Sequence, residues 1–195
     1  MALSQTEVSK LYVSIFGRAS EGEGNNYWQD KGNMSEVADQ MLNTDAAKGY
    51  FGDTLKDNQA FIEFIYKNTL NKTIEDDAEG IAYWVKQLEN KSKGEVATDL
   101  IDAISLYAPG GEFYNENDEA TVNAYNQFTN RVEVSNYFAD TVKTAPTDYA
   151  TSTAFNGDLI VTFDNSTIVD AKSDADVIAV EEDNNTSNND NFTYH

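Results

Sequence analysis

From residue 4 to about 143 the apolar positions recur at helical spacing. Ser4-Gln-Thr-Glu7 has the form of a capping box, and Val8, Leu11, Tyr12, Ile15 and Phe16 follow on one face. The pattern predicts a short helix around Tyr27 and Trp28 ending near Gly32, then another over 35–43 that turns Val37, Ala38, Met41 and Leu42 inward. A cap at Asp57-Asn58 opens a helix carrying Phe61, Ile62, Ile65 and Tyr66, and a second capping box, Ser92-Lys-Gly-Glu95, opens one carrying Val96, Leu100, Ile101 and Ile104. After the break at Pro109-Gly-Gly111, Asp118 can cap a long helix over 118–143, with Ala124, Tyr125, Phe128, Val132, Tyr137 and Phe138 apolar. Beyond Pro146 the pattern turns alternating and β-branched in LIVTF (159–163), STIVDA (166–171) and DVIAV (176–180), which predicts short strands. The closing EEDNNTSNNDNFTYH is polar and low in complexity, which predicts a mobile tail. The expected fold is mainly α: a helical domain over 1–145, a small β or irregular segment over 146–180, and an acidic, Asn-rich tail over 181–195.

The helical part reads as a duplication. LYVSIFGRASEGEGNNYW (11–28) and IYKNTLNKTIEDDAEGIAYW (65–84) carry a Tyr, a Gly three residues before a second Tyr, and a Trp in the same order. EVADQML (36–42) and EVATDLI (95–101) extend the match, which gives two multi-helix repeats over about 4–51 and 58–107, packed around one core. Core packing is the plainer role for Trp28 and Trp84, because one fold built twice needs its core residues twice. The alternative uses Tyr27, Trp28, Tyr83 and Trp84 as apolar platforms for a sugar face, with Asn25, Asn26, Arg18 and Lys72 nearby as hydrogen-bond or charge partners. Arg18 and Lys72 stand at equivalent places, where a cation can complement a helix C-terminus or meet an acidic sugar or phosphate.

Charge narrows the choice of partners. With 34 acids against 13 bases, the net charge of −21 leaves no electrostatic basis for nucleic-acid binding. No stretch has the roughly 20 consecutive apolar residues of a transmembrane helix, and MALSQTEVSK lacks the form of a secretion signal. The absence of cysteine removes disulfides and thiolate chemistry, and the single histidine, His195, sits in the predicted tail, so no His-based triad or metal site is expected. With no nucleophile motif either, the chain reads as a non-enzyme. Glu75, Asp76, Asp77 and Glu79 precede Gly80 and could supply oxygen ligands to calcium, although their spacing is not that of an EF-hand. Asp76 or Asp77 as a helix N-cap accounts for the same acids more simply. Asp164, Asp170, Asp174 and Asp176 form a weaker calcium candidate.

The Leu-Tyr, Gly-Arg, acidic-Gly and Tyr-Trp order of 11–28 resembles a bacterial repeat domain of unknown function found in secreted and surface proteins; the second copy, with Asn71-Lys72 in place of Gly-Arg, matches more loosely. Residues 1–145 are more similar still to the N-terminal region of Campylobacter-type S-layer proteins, through Thr6–Tyr12, Gly17–Trp28, Tyr50–Asp53 and Asn136–Thr141. That resemblance implies an extracellular module on the bacterial outer surface, exported by a type I system. It would bind the lipopolysaccharide of its own cell, through the O-chain, and work alongside other S-layer subunits. The alternative expectation is a calcium-dependent lattice or protein-interaction module; an enzyme acting on surface glycans ranks behind both.

Overall fold

The computed structural model describes residues 2–145 and 161–190, and these are mainly helical. Helix α1 (Gln5–Leu11) opens at the Ser4/Glu7 capping box and runs on as a π-helical stretch over Tyr12–Phe16. It stops at Gly17, whose φ of 59° is the left-handed conformation that closes helices. Helices α2 (Gly22–Gln29), α3 (Met34–Leu42) and α4 (Asp45–Phe51) follow, and a short 3-10 stretch over Gly52–Lys56 leads to α5 (Asn58–Leu70). Helix α5 is capped by Asp57, as expected, and stops at Asn71 with φ 54°. Asn71, like Gly17, ends its helix in the left-handed region, which asparagine tolerates better than other residues with a side chain. Helices α6 (Ala78–Gln87) and α7 (Lys93–Ile104) come next. Helix α8 (Glu119–Thr141) starts at the Asp118 cap, where the side chain accepts from the Thr121 amide.

The core forms where these amphipathic faces meet. Val8, Leu11 and Ile15 from the first helix, Val37 and Met41 from α3, Phe61, Ile62 and Ile65 from α5, Val96 from α7 and Phe138 from α8 are almost wholly withdrawn from solvent. Helices α3 and α7, which carry EVADQML and EVATDLI, pack on each other more extensively than any other pair of described elements. Gly94 permits the approach: a Cβ there would collide with the Ser35 carbonyl and with Asp39. The contact is sealed by polar bonds, because Ser92 Oγ donates to Asp39 Oδ2 at 2.6 Å and the Gly94 amide donates to Asp39 Oδ1 at 2.7 Å. Asp39 of α3 therefore satisfies the open amide end of α7.

The C-terminal segment departs from expectation. Residues 166–190 form one helix, α9 (Ser166–Asp190), and no strand occurs among the described residues. The two strands expected over 166–171 and 176–180 are thus turns of α9, as are residues 181–190 of the expected tail; 161–163 are non-helical, while 159–160 and 191–195 lie outside the described residues. The β-branched alternation misled because it also contains a helical stripe. Ile168, Ala171 and Ala175 are buried and Ile178 packs on the core cluster, at spacings of three and four residues along one side of α9. That stripe docks on α8, and contact with a neighbour overrides weak local preference. Glu182 fastens the far end by accepting from the Lys143 and Thr144 amides at 2.9 and 2.8 Å and from Thr144 Oγ1 at 2.6 Å.

Candidate functional site

Each Gly-x-x-Tyr-Trp stretch is built against a tyrosine of the preceding helix. In the second, Tyr66 Oη donates to Asp77 Oδ2 at 2.5 Å, and Asp77 Oδ1 accepts from the Gly80 amide at 2.9 Å, capping α6. A Cβ on Gly80 would meet both the Asp77 carboxylate and Tyr66 Oη, the latter at 2.7 Å. In the first, Glu21 holds the N-cap position of α2, and a Cβ on Gly24 would meet Glu21 Oε1 and Tyr12 Oη. The glycine is needed in both places because a phenol and a carboxylate fill the volume of its absent side chain. Burial, above all, pushes the Tyr12 and Tyr66 phenols up from the ordinary tyrosine range; the Glu21 charge adds to it at Tyr12 and the hydrogen bond to Asp77 at Tyr66.

The two stretches differ in what lies beside that tyrosine. Arg18 stacks over the Tyr12 ring at 4.9 Å and the Phe16 ring at 5.8 Å, and pairs with Glu21 at 2.8 Å while also donating to the Ala19 carbonyl at 2.9 Å. Both members of this pair are largely buried, so the guanidinium fills the space in front of Tyr12. Near Tyr66 stands Lys72, a thinner side chain without an ion pair among the described residues. A cleft of about 100 Å³ opens in front of Tyr66. Its walls are aromatic and aliphatic, with Tyr66, Trp84, Tyr107 and Tyr125 the rings, and Lys72, Asp77 and Thr121 supply the polar groups. Helices α5, α6, α7 and α8 all contribute, so the cleft requires the assembled tertiary structure.

This arrangement suits recognition of a partly apolar, hydroxylated group. Ring faces offer contact area, while Lys72, Thr121 and the tyrosine hydroxyls fix orientation. The Asp77 carboxylate is already engaged by a phenol and an amide, which commits it to the architecture of the wall.

The sequence-predicted sugar residues separate. Trp84 and Lys72 line the cleft. Trp28 and Trp84 are each partly buried against the core, and each makes an edge contact with the tyrosine before it, at 4.9 Å for Tyr27 and 5.0 Å for Tyr83. Tyr27 and Tyr83 are more than half exposed and do not line this cleft; Lys31 Nζ sits 4.3 Å from the centre of the Tyr27 ring. Asn26 is exposed as well. Asn25 is buried, 1% exposed, and therefore cannot meet a ligand. Its Nδ2 lies within hydrogen-bond distance of Ser20 Oγ (2.9 Å), Gln5 O (3.2 Å) and Ser9 Oγ (3.3 Å), and its Oδ1 accepts from Gln29 at 2.9 Å. Ser135 joins the same node, 2.9 Å from Ser20 Oγ and from Ser9 Oγ, and ties α8 to the loop after Gly17. Reading the residues missed Tyr107, Thr121 and Tyr125, for which no motif existed. Tyr66 had a usable signal as a landmark of the repeat.

Four of the acids proposed for calcium, Asp76, Asp77, Asp164 and Asp176, have other work. Asp77 caps α6, and Asp76 Oδ2 accepts from the Thr73 amide and hydroxyl at 2.8 and 3.0 Å. Glu75 and Glu79 are exposed. Asp164 accepts from the Ser166 amide and Asp176 from Tyr137 Oη. Among the described residues no three or more Asp, Glu, His or Cys side chains converge as metal ligands. Among them too, no helix is long and apolar enough to cross a membrane.

No curated protein and no solved structure shows significant similarity to the chain. Residues 38–104, from the middle of α3 to the end of α7, match a family described as a domain of unknown function, DUF4214.

Proposed function

We propose that this chain is a non-catalytic, extracellular module of the bacterial outer surface that binds lipopolysaccharide through its O-polysaccharide and so anchors an S-layer. The observation that carries the binding reading is the aromatic cleft in front of Tyr66, with Trp84, Tyr107 and Tyr125 as its other rings. At about 100 Å³ it is well below the roughly 300–1,000 Å³ of drug-sized ligand sites. It suits one apolar substituent of a sugar, such as the methyl of a deoxysugar or an acetamido group, with the rest of the glycan lying across its mouth. A neutral glycan fits a chain of net charge −21 better than a phosphate-dense one does. The S-layer part of the reading comes from the sequence resemblance of residues 1–145.

The same reading takes the helical part as a duplicated unit of which only the second copy keeps an open cleft. It is supported by the paired stops at Gly17 and Asn71, the Tyr12/Gly24 and Tyr66/Gly80 contacts, and the mutual packing of α3 and α7. In the first copy Arg18 occupies the place a ligand would take.

The test is binding of the chain to lipopolysaccharide with and without its O-chain, each in calcium and in chelator. O-chain-dependent binding that Trp84→Ala and Tyr125→Ala weaken is the expected result. Equal binding to O-chain-free lipopolysaccharide overturns the assignment.

One observation favours a lattice or protein-interaction module instead. Val169, Val177 and Val180 stand 68%, 55% and 60% exposed on the outer side of α9, an apolar stripe of the kind that meets another protein. On that reading the chain forms calcium- and concentration-dependent oligomers and ignores glycans.

A further inference from the structure

A second cleft lies on another part of the molecule, between the ends of α3 and α4, the 3-10 stretch over Gly52–Lys56, and the start of α7. It measures about 680 Å³ and brings together three of the chain's 13 basic side chains, Lys48, Lys56 and Lys93. Two aspartates also line it, and each is committed. Both oxygens of Asp39 accept from the start of α7, one from Oγ of its cap Ser92 and the other from the Gly94 amide. Asp53 pairs with Lys56 at 2.7 Å, with both side chains at least 80% exposed, so water competes freely for that pair and a ligand can replace it.

Lys48 and Lys93 have no carboxylate partner among the described residues. Lys93 is positioned by neutral groups alone: its ammonium lies 3.4 Å from Asn58 Oδ1 and 5.5 Å from the centre of the Phe61 ring. A chain with 34 acids could neutralise every lysine it carries, yet Lys48 and Lys93 line one concavity without a carboxylate partner among the described residues. Three lysines against two aspartates leave the lining net positive on a chain that is otherwise strongly acidic, and a local excess of positive charge raises the concentration of anions there. The volume greatly exceeds that of a single ion, and Leu42, Leu55 and Asn43 give the walls the apolar and amide surface that meets a sugar ring.

We propose that this cleft is a binding site for a sugar bearing a phosphate, whose oxyanion Lys48 and Lys93 hold and Lys56 joins on leaving Asp53. The site is separate from the aromatic cleft and does not depend on that cleft binding glycan. It gives an acidic surface protein one defined place to hold an anionic residue.

The experiment is amide chemical-shift titration of the whole chain with glucose 1-phosphate, inorganic phosphate and glucose. Glucose 1-phosphate is expected to shift amides near Lys48, 52–56 and Lys93, to bind more tightly than inorganic phosphate, and to weaken as salt approaches physiological strength, where the Debye length is about 8 Å. The Lys48→Gln/Lys93→Gln double variant should bind about tenfold more weakly while keeping its native spectrum. Trp84→Ala should leave this binding unchanged, which separates failure here from failure at the aromatic cleft. Lysine-independent binding, or none, overturns the site. Equal affinity for inorganic phosphate overturns the sugar assignment.

Discussion

Tyr66 donates its phenol to Asp77 at 2.5 Å across the face of Gly80. This one bond joins α5 to the N-terminus of α6, explains the glycine of the second Gly-x-x-Tyr-Trp stretch, and forms a wall of the aromatic cleft. Glycine inside a helix ordinarily costs about 1 kcal/mol relative to alanine, so its use at this position needs such a reason.

Gly80→Ala is therefore expected to destabilise the protein by about 1–3 kcal/mol, because the new methyl must displace Tyr66 or Asp77 and break their bond. Gly49→Ala is the control. It lies in α4, where an added methyl would have no neighbouring atom within 4 Å, and it is not among the positive-φ residues, so it should stabilise by up to about 1 kcal/mol. Urea unfolding of the two variants checks both signs.

Alkali should weaken the fold through Tyr12 and Tyr66. Their folded pKa values lie above the unfolded value of 10.0, so the unfolded chain loses its phenolic protons first. The stabilisation is complete below pH of about 10 and is lost as pH rises from there toward the folded values. Tyrosinate absorbance followed alongside circular dichroism should show late-ionising tyrosines that titrate with unfolding, and Tyr66→Phe should flatten the alkaline fall in stability.

Asn25→Ala should cost about 1–3 kcal/mol, since it strips a shared partner from the buried hydroxyls of Ser9 and Ser20. Because Asn25 is enclosed, the folded variant should retain its glycan affinity. Selective loss of binding without loss of stability would place Asn25 in a site after all.

Asp39→Ala should likewise lose about 1–3 kcal/mol, by leaving the Ser92 hydroxyl and Gly94 amide without their shared carboxylate where α3 meets α7. Hydrogen exchange should report the loss first in the opening turn of α7.

The two tryptophans report separately. Trp84 lines the aromatic cleft and Trp28 does not. In Trp28→Phe, with Trp84 the single tryptophan left, emission should respond to O-polysaccharide; in Trp84→Phe it should not. A response confined to Trp28 would move the site to the surroundings of α2.

The sequence by itself determined the local events. The capping boxes at Ser4 and Ser92, the caps at Asp57 and Asp118, and the apolar stripes of α3, α5 and α7 were legible because each depends on residues within one or two helical turns. The order of landmarks around Trp28 and Trp84 was legible too, as was the mainly helical character. Tertiary structure alone decided the rest. It chose helix over strand for 166–180, because the buried stripe of Ile168, Ala171 and Ala175 gains contact only once α8 is in place. It buried Asn25 among serines from distant parts of the chain, and it set Arg18, stacked and paired, apart from Lys72, which lines an open cleft. That cleft joins Tyr66, Trp84, Tyr107 and Tyr125 from four separate segments. No spacing rule links residues that far apart, so only the packed helices could bring their rings to one place.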